Sequence, residues 1–382
     1  MFSIILDDLT KIEVFKYIQR NASQINTINN LDDYLRNKDR NINYTLLILN
    51  IPRETILIIL SYIFLVAITG NNIIELFNKY KHFNFKNLVK NTEKSKCLIN
   101  YFVHIKDRIN VHSTLIKNVT ISKKVAQKGI FYQRNNCVSN SQIYNSFVSM
   151  NTPLSVIRFT TGTYNSKKKM KTIFVSKNIG GDILGDSCDE EEIQFLVSPE
   201  CLIAVLYFYN ESIKNNEAFY IDGVEHFSNY NIINYTFKFN TKNIINNYSN
   251  YEIGRSNIII AIRDTDNLYL NININQKINK YIVVFGSWRK EDNLTCLTSN
   301  WGGDPQLELI IQWIAASITN RYLSYNIDEN LFSLVTYFGA DDFQSIIQEI
   351  RNRYPTVSEL YNACIRICNS ENKHNIIIQL LS

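Results

Sequence analysis

The period of the hydrophobic pattern changes part-way along this chain, and no other feature constrains its fold as much. Before residue 130, apolar residues recur at three- and four-residue steps over 57–68, 73–77 and 97–105. That is the spacing of one helix face. From residue 150 onward, short β-branched and aromatic runs alternate with helical patterns. Strands are expected over 155–160, 171–176, 218–221, 235–239, 258–262 and 281–285, a helix over 307–318, and a strand or short helix over 331–338. Strands mixed with helices point to an α/β layered domain. The Asn- and Ser-rich stretch 127–151 reads as a connector. It sets the expected organisation: a helical accessory region over 1–145 and an α/β domain over 146–382.

Composition narrows the class. With 45% hydrophobic and 20% charged residues in 382, the chain can pack a core and is neither disordered nor fibrous. Its net charge of +5 is mild and spread out, which suits an anionic partner without arguing for a nucleic-acid groove. The densest basic run, Lys167-Lys168-Lys169-Met170-Lys171, reads as a solvated turn. Seven dispersed cysteines argue against a secreted disulfide framework, and five scattered histidines leave no zinc pattern.

Residues 55–69, TILIILSYIFLVAIT, are apolar all round, yet fall short of the roughly 20 residues that span a bilayer. Pro52-Arg53-Glu54 reads as a helix start and Gly70-Asn71-Asn72 as a stop. A buried core helix is expected. Residues 1–8 lack a basic region and soon turn acidic, unlike a secretory signal, so an intracellular location is expected.

The chemistry concentrates in one segment. An expected strand over 171–176 runs into Gly180-Gly181-Asp182, and after a seven-residue spacer Glu190-Glu191-Glu192 opens an apolar helical pattern. Paired glycines after a strand let the backbone approach a phosphate and present its N–H groups. A glutamate facing such a site can act as general acid or base in glycosidic cleavage. Adjacent side chains diverge, so one of the three is expected at the scissile bond while a neighbour orients substrate. A glycine turn and a carboxylate-rich helix start are also ordinary structural features.

The arrangement resembles the signature of poly(ADP-ribose) glycohydrolases, three glycines and a short spacer followed by Gln-Glu-Glu. Residues 193–202 (IQFLVSPECL) look like that family's continuation past its glutamates. Glu225-His226-Phe227-Ser228-Asn229-Tyr230 resembles its aromatic segment, and Asn300-Trp301-Gly302-Gly303-Asp304 its Asn-Trp-Gly loop ahead of a helix. The four segments keep the family's order. The resemblance implies a macrodomain-like three-layer α/β/α sandwich with a mixed sheet, preceded by the helical accessory domain.

It also implies an activity: hydrolysis of ribose–ribose bonds in poly(ADP-ribose), releasing ADP-ribose, with no cofactor and no metal. Glu192 takes the general acid/base position and Glu191 the position that binds the ribose hydroxyls beside the cleaved bond. Gly180, Gly181, Asp182, Glu190, Ser176, Tyr230, Asn300, Trp301 and Gly302 fall at substrate-binding positions. The implied partners are poly(ADP-ribose) and ADP-ribosylated proteins, with no sequence-specific nucleic acid and no membrane, in the nucleus or cytoplasm.

This chain departs from the pattern at named places. Asp182 replaces the third glycine, Glu190 the glutamine, Ile173 an aspartate and Ser176 an asparagine. Trp301-Gly302 runs directly into Gly303-Asp304, where the family carries several more residues. Ile232-Ile233 stands where a Gly-Tyr pair is expected, with Tyr235 a candidate substitute. An active hydrolase and a degenerate member that binds ADP-ribose or a protein without turnover both stay open. Elsewhere packing is the default: Trp313 is expected in the core, and His226 in a structural or surface role.

Overall fold

The computed structural model describes residues 8–24, 46–69, 92–111, 118–125, 150–160, 169–175, 179–183, 189–207, 217–228, 230–233, 236–240, 257–263, 274–286, 295–300, 304–327, 329–370 and 375–382. In chain order the amino-terminal elements are α1 (Asp8–Ala22), β1 (Leu46–Pro52), α2 (Arg53–Thr69), α3 (Thr92–Val111) and β2 (Asn118–Val125). Next come β3 (Ile157–Thr160), β4 (Lys169–Val175), α4 (Glu190–Val197), a 3-10 turn (Pro199–Cys201) and α5 (Leu202–Tyr207). They are followed by β5 (Glu217–Val224), β6 (Tyr230–Ile233), β7 (Thr236–Phe239), β8 (Asn257–Arg263), α6 (Ile274–Gly286) and β9 (Thr295–Ser299). The chain closes with α7 (Pro305–Ile318), β10 (Tyr322–Asn326), α8 (Glu329–Phe338), α9 (Phe343–Arg353), α10 (Val357–Cys368) and α11 (Ile376–Leu381).

These elements form two compact units, each drawn from separate stretches of chain. The first gathers α1, α2, α3 and β1 with the segments 179–207 and 219–240. Its apolar helix α2 buries Ile56, Leu57, Ile59, Leu60, Ile63 and Phe64, each at 5% exposure or less. At about 1.5–3 kcal/mol per large side chain withdrawn from water, this burial is the main anchor of the helix. The apolar run is therefore core, as expected, and no helix among the described residues is long and apolar enough to cross a membrane. Helix α3 adds an aromatic chain: Phe102 meets Phe64 at 5.3 Å, and Tyr101 meets Phe227 edge-on at 4.8 Å.

The second unit is built on parallel strands in the order β4-β9-β10-β3. Register places Met170, Cys296, Leu323 and Ile157 in one row across all four, and each is at most 2% exposed. Parallel strands need crossovers, and helices supply the covering layers. Helix α7 is capped by Asp304, whose carboxylate accepts from the N–H groups of Gln306 and Leu307 at 2.9 and 3.2 Å. Pro305 fits its first turn, where no N–H is needed. Trp313 is fully buried on α7, donating its indole N–H to the Ser155 carbonyl at 2.9 Å. It is core, as expected.

Two expectations change and one open alternative is settled. Residues 281–285 belong to helix α6, not a strand. Ile274, Ile278, Tyr281 and Phe285 bury one face at helical spacing, a period that a five-residue window is too short to reveal. Residues 331–338 settle as helix α8. The lysine run is not wholly a turn, because Lys169, Met170 and Lys171 pair with β9 and Met170 is fully buried. The strand propensity of the following Thr-Ile-Phe-Val outweighs the charge of the run's last residues.

Candidate active site

The site begins where β4 ends at Val175 and the chain re-emerges at Ile179 in a tight turn. The Ile183 N–H closes the turn on the Gly180 carbonyl at 3.0 Å. Gly180 and Gly181 both take positive φ, 86° and 52°, a region that L side chains enter at a cost of roughly 1–2 kcal/mol. Space forbids a side chain too. A Cβ on Gly180 would stand 2.5 Å from a Val205 methyl, and one on Gly181 would stand 2.3 Å from Glu192 Oε1 and 2.9 Å from Glu191 Oε2.

Those carboxylates arrive from helix α4, which opens at Glu190 after the extended residue Asp189. Glu191 and Glu192 are 4% and 3% exposed. Although adjacent in sequence, both bring an oxygen to the space beside Gly181, because the turn folds back over the first turn of the helix. Glu192 Oε1 accepts from the Asp182 N–H at 2.8 Å. Its other oxygen, Oε2, is buried without a hydrogen-bond partner. One oxygen is thus held by the backbone, and the second keeps its hydrogen-bonding capacity. The Asp182 side chain itself is exposed.

Helix α4 also holds the aromatic segment. The Phe227 N–H donates to the Val197 carbonyl at 2.8 Å, and Asn100 Nδ2 of α3 donates to the Phe227 carbonyl at 2.5 Å. Tyr230 lies half-buried at the start of β6, tilted against Phe237 at 5.6 Å. Both backbone groups of Phe227 are therefore spent on fixing this segment to α4 and α3.

Beneath these contacts lies a charged network that the pattern of the sequence did not reveal. Arg53, 3% exposed at the start of α2, donates through Nε and Nη2 to the two oxygens of Glu200 at 2.6 and 3.0 Å. Its Nη1 reaches Glu225 at 3.2 Å, and Nη2 also bonds the Gly223 carbonyl. The fork geometry of a guanidinium suits this bidentate grip. In sequence Arg53 signalled only a helix start, since its partners lie 147 to 172 residues away.

Glu191, Glu192, Gly180, Gly181 and Asp182 are thus gathered at one turn, with Tyr230 in the same compact unit. Asn300 lies half-buried just past β9, in the other unit. Ser176, Trp301 and Gly302 lie outside the described residues, as do Tyr235 and the side chain of Glu190. Ile173, where the pattern has aspartate, is fully buried in β4.

Residues 144–331 match the family described as poly(ADP-ribose) glycohydrolase, macro domain fold. Over that region the chain is similar to a divergent member of the poly(ADP-ribose) glycohydrolase family. Its α/β architecture is the family's macro-domain fold. It is similar to poly(ADP-ribose) glycohydrolase 1 of Caenorhabditis elegans, with 31% identity over 174 residues. That match covers 40% of this chain and 22% of the relative, so the shared part is far shorter than the whole nematode protein. The family match contains the glycine turn, the glutamate helix, the aromatic segment and the Asn300 strand end, and leaves α1 to α3 outside.

Proposed function

We propose that this protein is a poly(ADP-ribose) glycohydrolase that cuts ribose–ribose bonds and releases ADP-ribose, with Glu192 as general acid and base. The observation that carries the reading is the asymmetric placement of Glu192. Its Oε1 is held by the Asp182 N–H, and its buried Oε2 has no partner. As a carboxylic acid, Glu192 passes its proton to the departing ribose oxygen as the anomeric bond breaks. As a carboxylate, it then takes a proton from the water that attacks the anomeric carbon. Both steps leave the side chain as it began.

Glu191, beside it at Gly181, accepts hydrogen bonds from the ribose hydroxyls next to that bond. The Gly180-Gly181 turn stands at the family's phosphate-binding position, where backbone N–H groups of a turn can bind a diphosphate. Poly(ADP-ribose) and ADP-ribosylated proteins are the proposed partners, in the nucleus or cytoplasm, with residues 1–145 as accessory region. A second reading, an ADP-ribose binder without turnover, is favoured by one feature. Asp182 places an exposed carboxylate where the family pattern has glycine, and a like charge beside a diphosphate weakens binding.

The test is release of ADP-ribose from poly(ADP-ribose) by wild type, Glu192→Ala and Glu191→Ala. Release by wild type that disappears in Glu192→Ala is expected. No release from folded wild type at high enzyme concentration refutes the hydrolase, and ADP-ribose titration then decides whether a binder remains.

A further inference from the structure

Helix α3 lies outside the family match, yet it sends a completely buried cation to the glycine turn. Lys94, at 0% exposure, donates from Nζ to the Ile183 carbonyl at 3.2 Å. A buried ammonium is costly unless its hydrogen bonds are met, so a lysine in this place calls for an explanation beyond packing. The same helix grips two more segments of this unit. Asn100 holds the Phe227 carbonyl, and Glu93 accepts from the Phe239 N–H at 2.7 Å.

We infer that Lys94 is a positioning residue for the glycoside site, acting through the turn on Glu192. The chain of contacts is short. Lys94 fixes the Ile183 carbonyl, the Ile183 N–H closes on the Gly180 carbonyl, and the Asp182 N–H between them holds Glu192 Oε1. Each link is a single hydrogen bond made by a residue of 180–183. Displacing Ile183 moves the Asp182 N–H, and Glu192 Oε2 loses its aim.

The inference rests on the proposed role of Glu192, and the experiment separates the two. Poly(ADP-ribose) turnover is measured for full-length wild type, Lys94→Met, Lys94→Arg and Glu192→Gln. Lys94→Met is expected to lower kcat by on the order of 10²-fold, the effect of misplacing a catalytic group by about 1 Å. KM is expected to stay within about three-fold, because the reacting group and not uniform binding is disturbed. Lys94→Arg, which keeps the charge and the donor, recovers most of that loss.

Hydrogen exchange at the Asp182 and Ile183 amides supplies a readout independent of turnover. It is expected to quicken by about ten-fold in Lys94→Met and not in Lys94→Arg. Wild-type kcat in Lys94→Met beside an inactive Glu192→Gln overturns the inference alone. Equal changes in kcat and KM, failed rescue by arginine, or unchanged exchange overturn it as well. Full turnover by Glu192→Gln, or none by wild type, removes the reading beneath it and the inference with it.

Discussion

Replacing Gly181 by alanine separates what backbone conformation contributes to this site from what the crowded carboxylates contribute. Two costs are expected. An alanine at φ 52° loses roughly 1–2 kcal/mol to left-handed strain. Its Cβ, 2.3 Å from Glu192 Oε1, also pushes the carboxylate off the Asp182 N–H. A hydrogen bond to a charged group contributes about 1.5–3 kcal/mol. The sum is roughly 2.5–5 kcal/mol of stability.

Gly339→Ala supplies the control. Gly339 has φ 57° and nothing within 4 Å of a built Cβ, so only the strain of about 1–2 kcal/mol applies there. Displacing Glu192 is expected to lower kcat/KM in Gly181→Ala on the order of 10²-fold, about 2.7 kcal/mol of barrier. Gly339→Ala leaves turnover at the wild-type value. The assays are urea unfolding of each variant and release of ADP-ribose from polymer. Equal losses in the two variants, or wild-type turnover in Gly181→Ala, would refute the claim that carboxylate crowding makes glycine necessary.

Two further outcomes follow from buried charge. Arg53→Met strands Glu200, which is fully buried, and should cost about 3–5 kcal/mol in urea unfolding; adding Glu200→Gln should recover much of it. A single-variant loss under about 1 kcal/mol would show that the pair is not isolated from water. For Glu308 on α7, burial pushes the carboxyl up, and the ion pair with Lys277 and the hydrogen bond from Tyr281 only partly oppose it. A carboxyl raised in the folded state contributes stability that is complete below the usual glutamate range, about pH 4, and is lost as pH rises through the raised value. The stability of wild type relative to Glu308→Gln should therefore fall with rising pH across that window and then level off. A difference that stays flat, or grows, would contradict the sign.

Sequence by itself determined the class of the fold and the neighbourhood of the glycine turn and the glutamate helix. Hydrophobic period picks out α2 and α3 in the first third and the strands after residue 150, because a residue's local neighbours set that pattern. It passes over β1 and β2. The Gly-Gly turn and the glutamate helix lie within about a dozen residues, so their meeting is nearly local and their spacing is legible. The apolar run of α2 is likewise read correctly from its length and its flanking start and stop. Short windows mislead where both periods fit, as at 281–285, which helix α6 absorbs into a longer buried face.

Tertiary structure decided which distant side chains serve that neighbourhood. Nothing near Lys94 in sequence points to Ile183, and nothing near Arg53 points to Glu200 and Glu225. In sequence Arg53 marks only a helix start, and Lys94 carries no signal of its own. Their burial follows from how α2 and α3 pack within the unit that holds the glutamates. A charge in a protein interior persists only where partners at fixed distances replace water, and those distances exist only once the chain has folded.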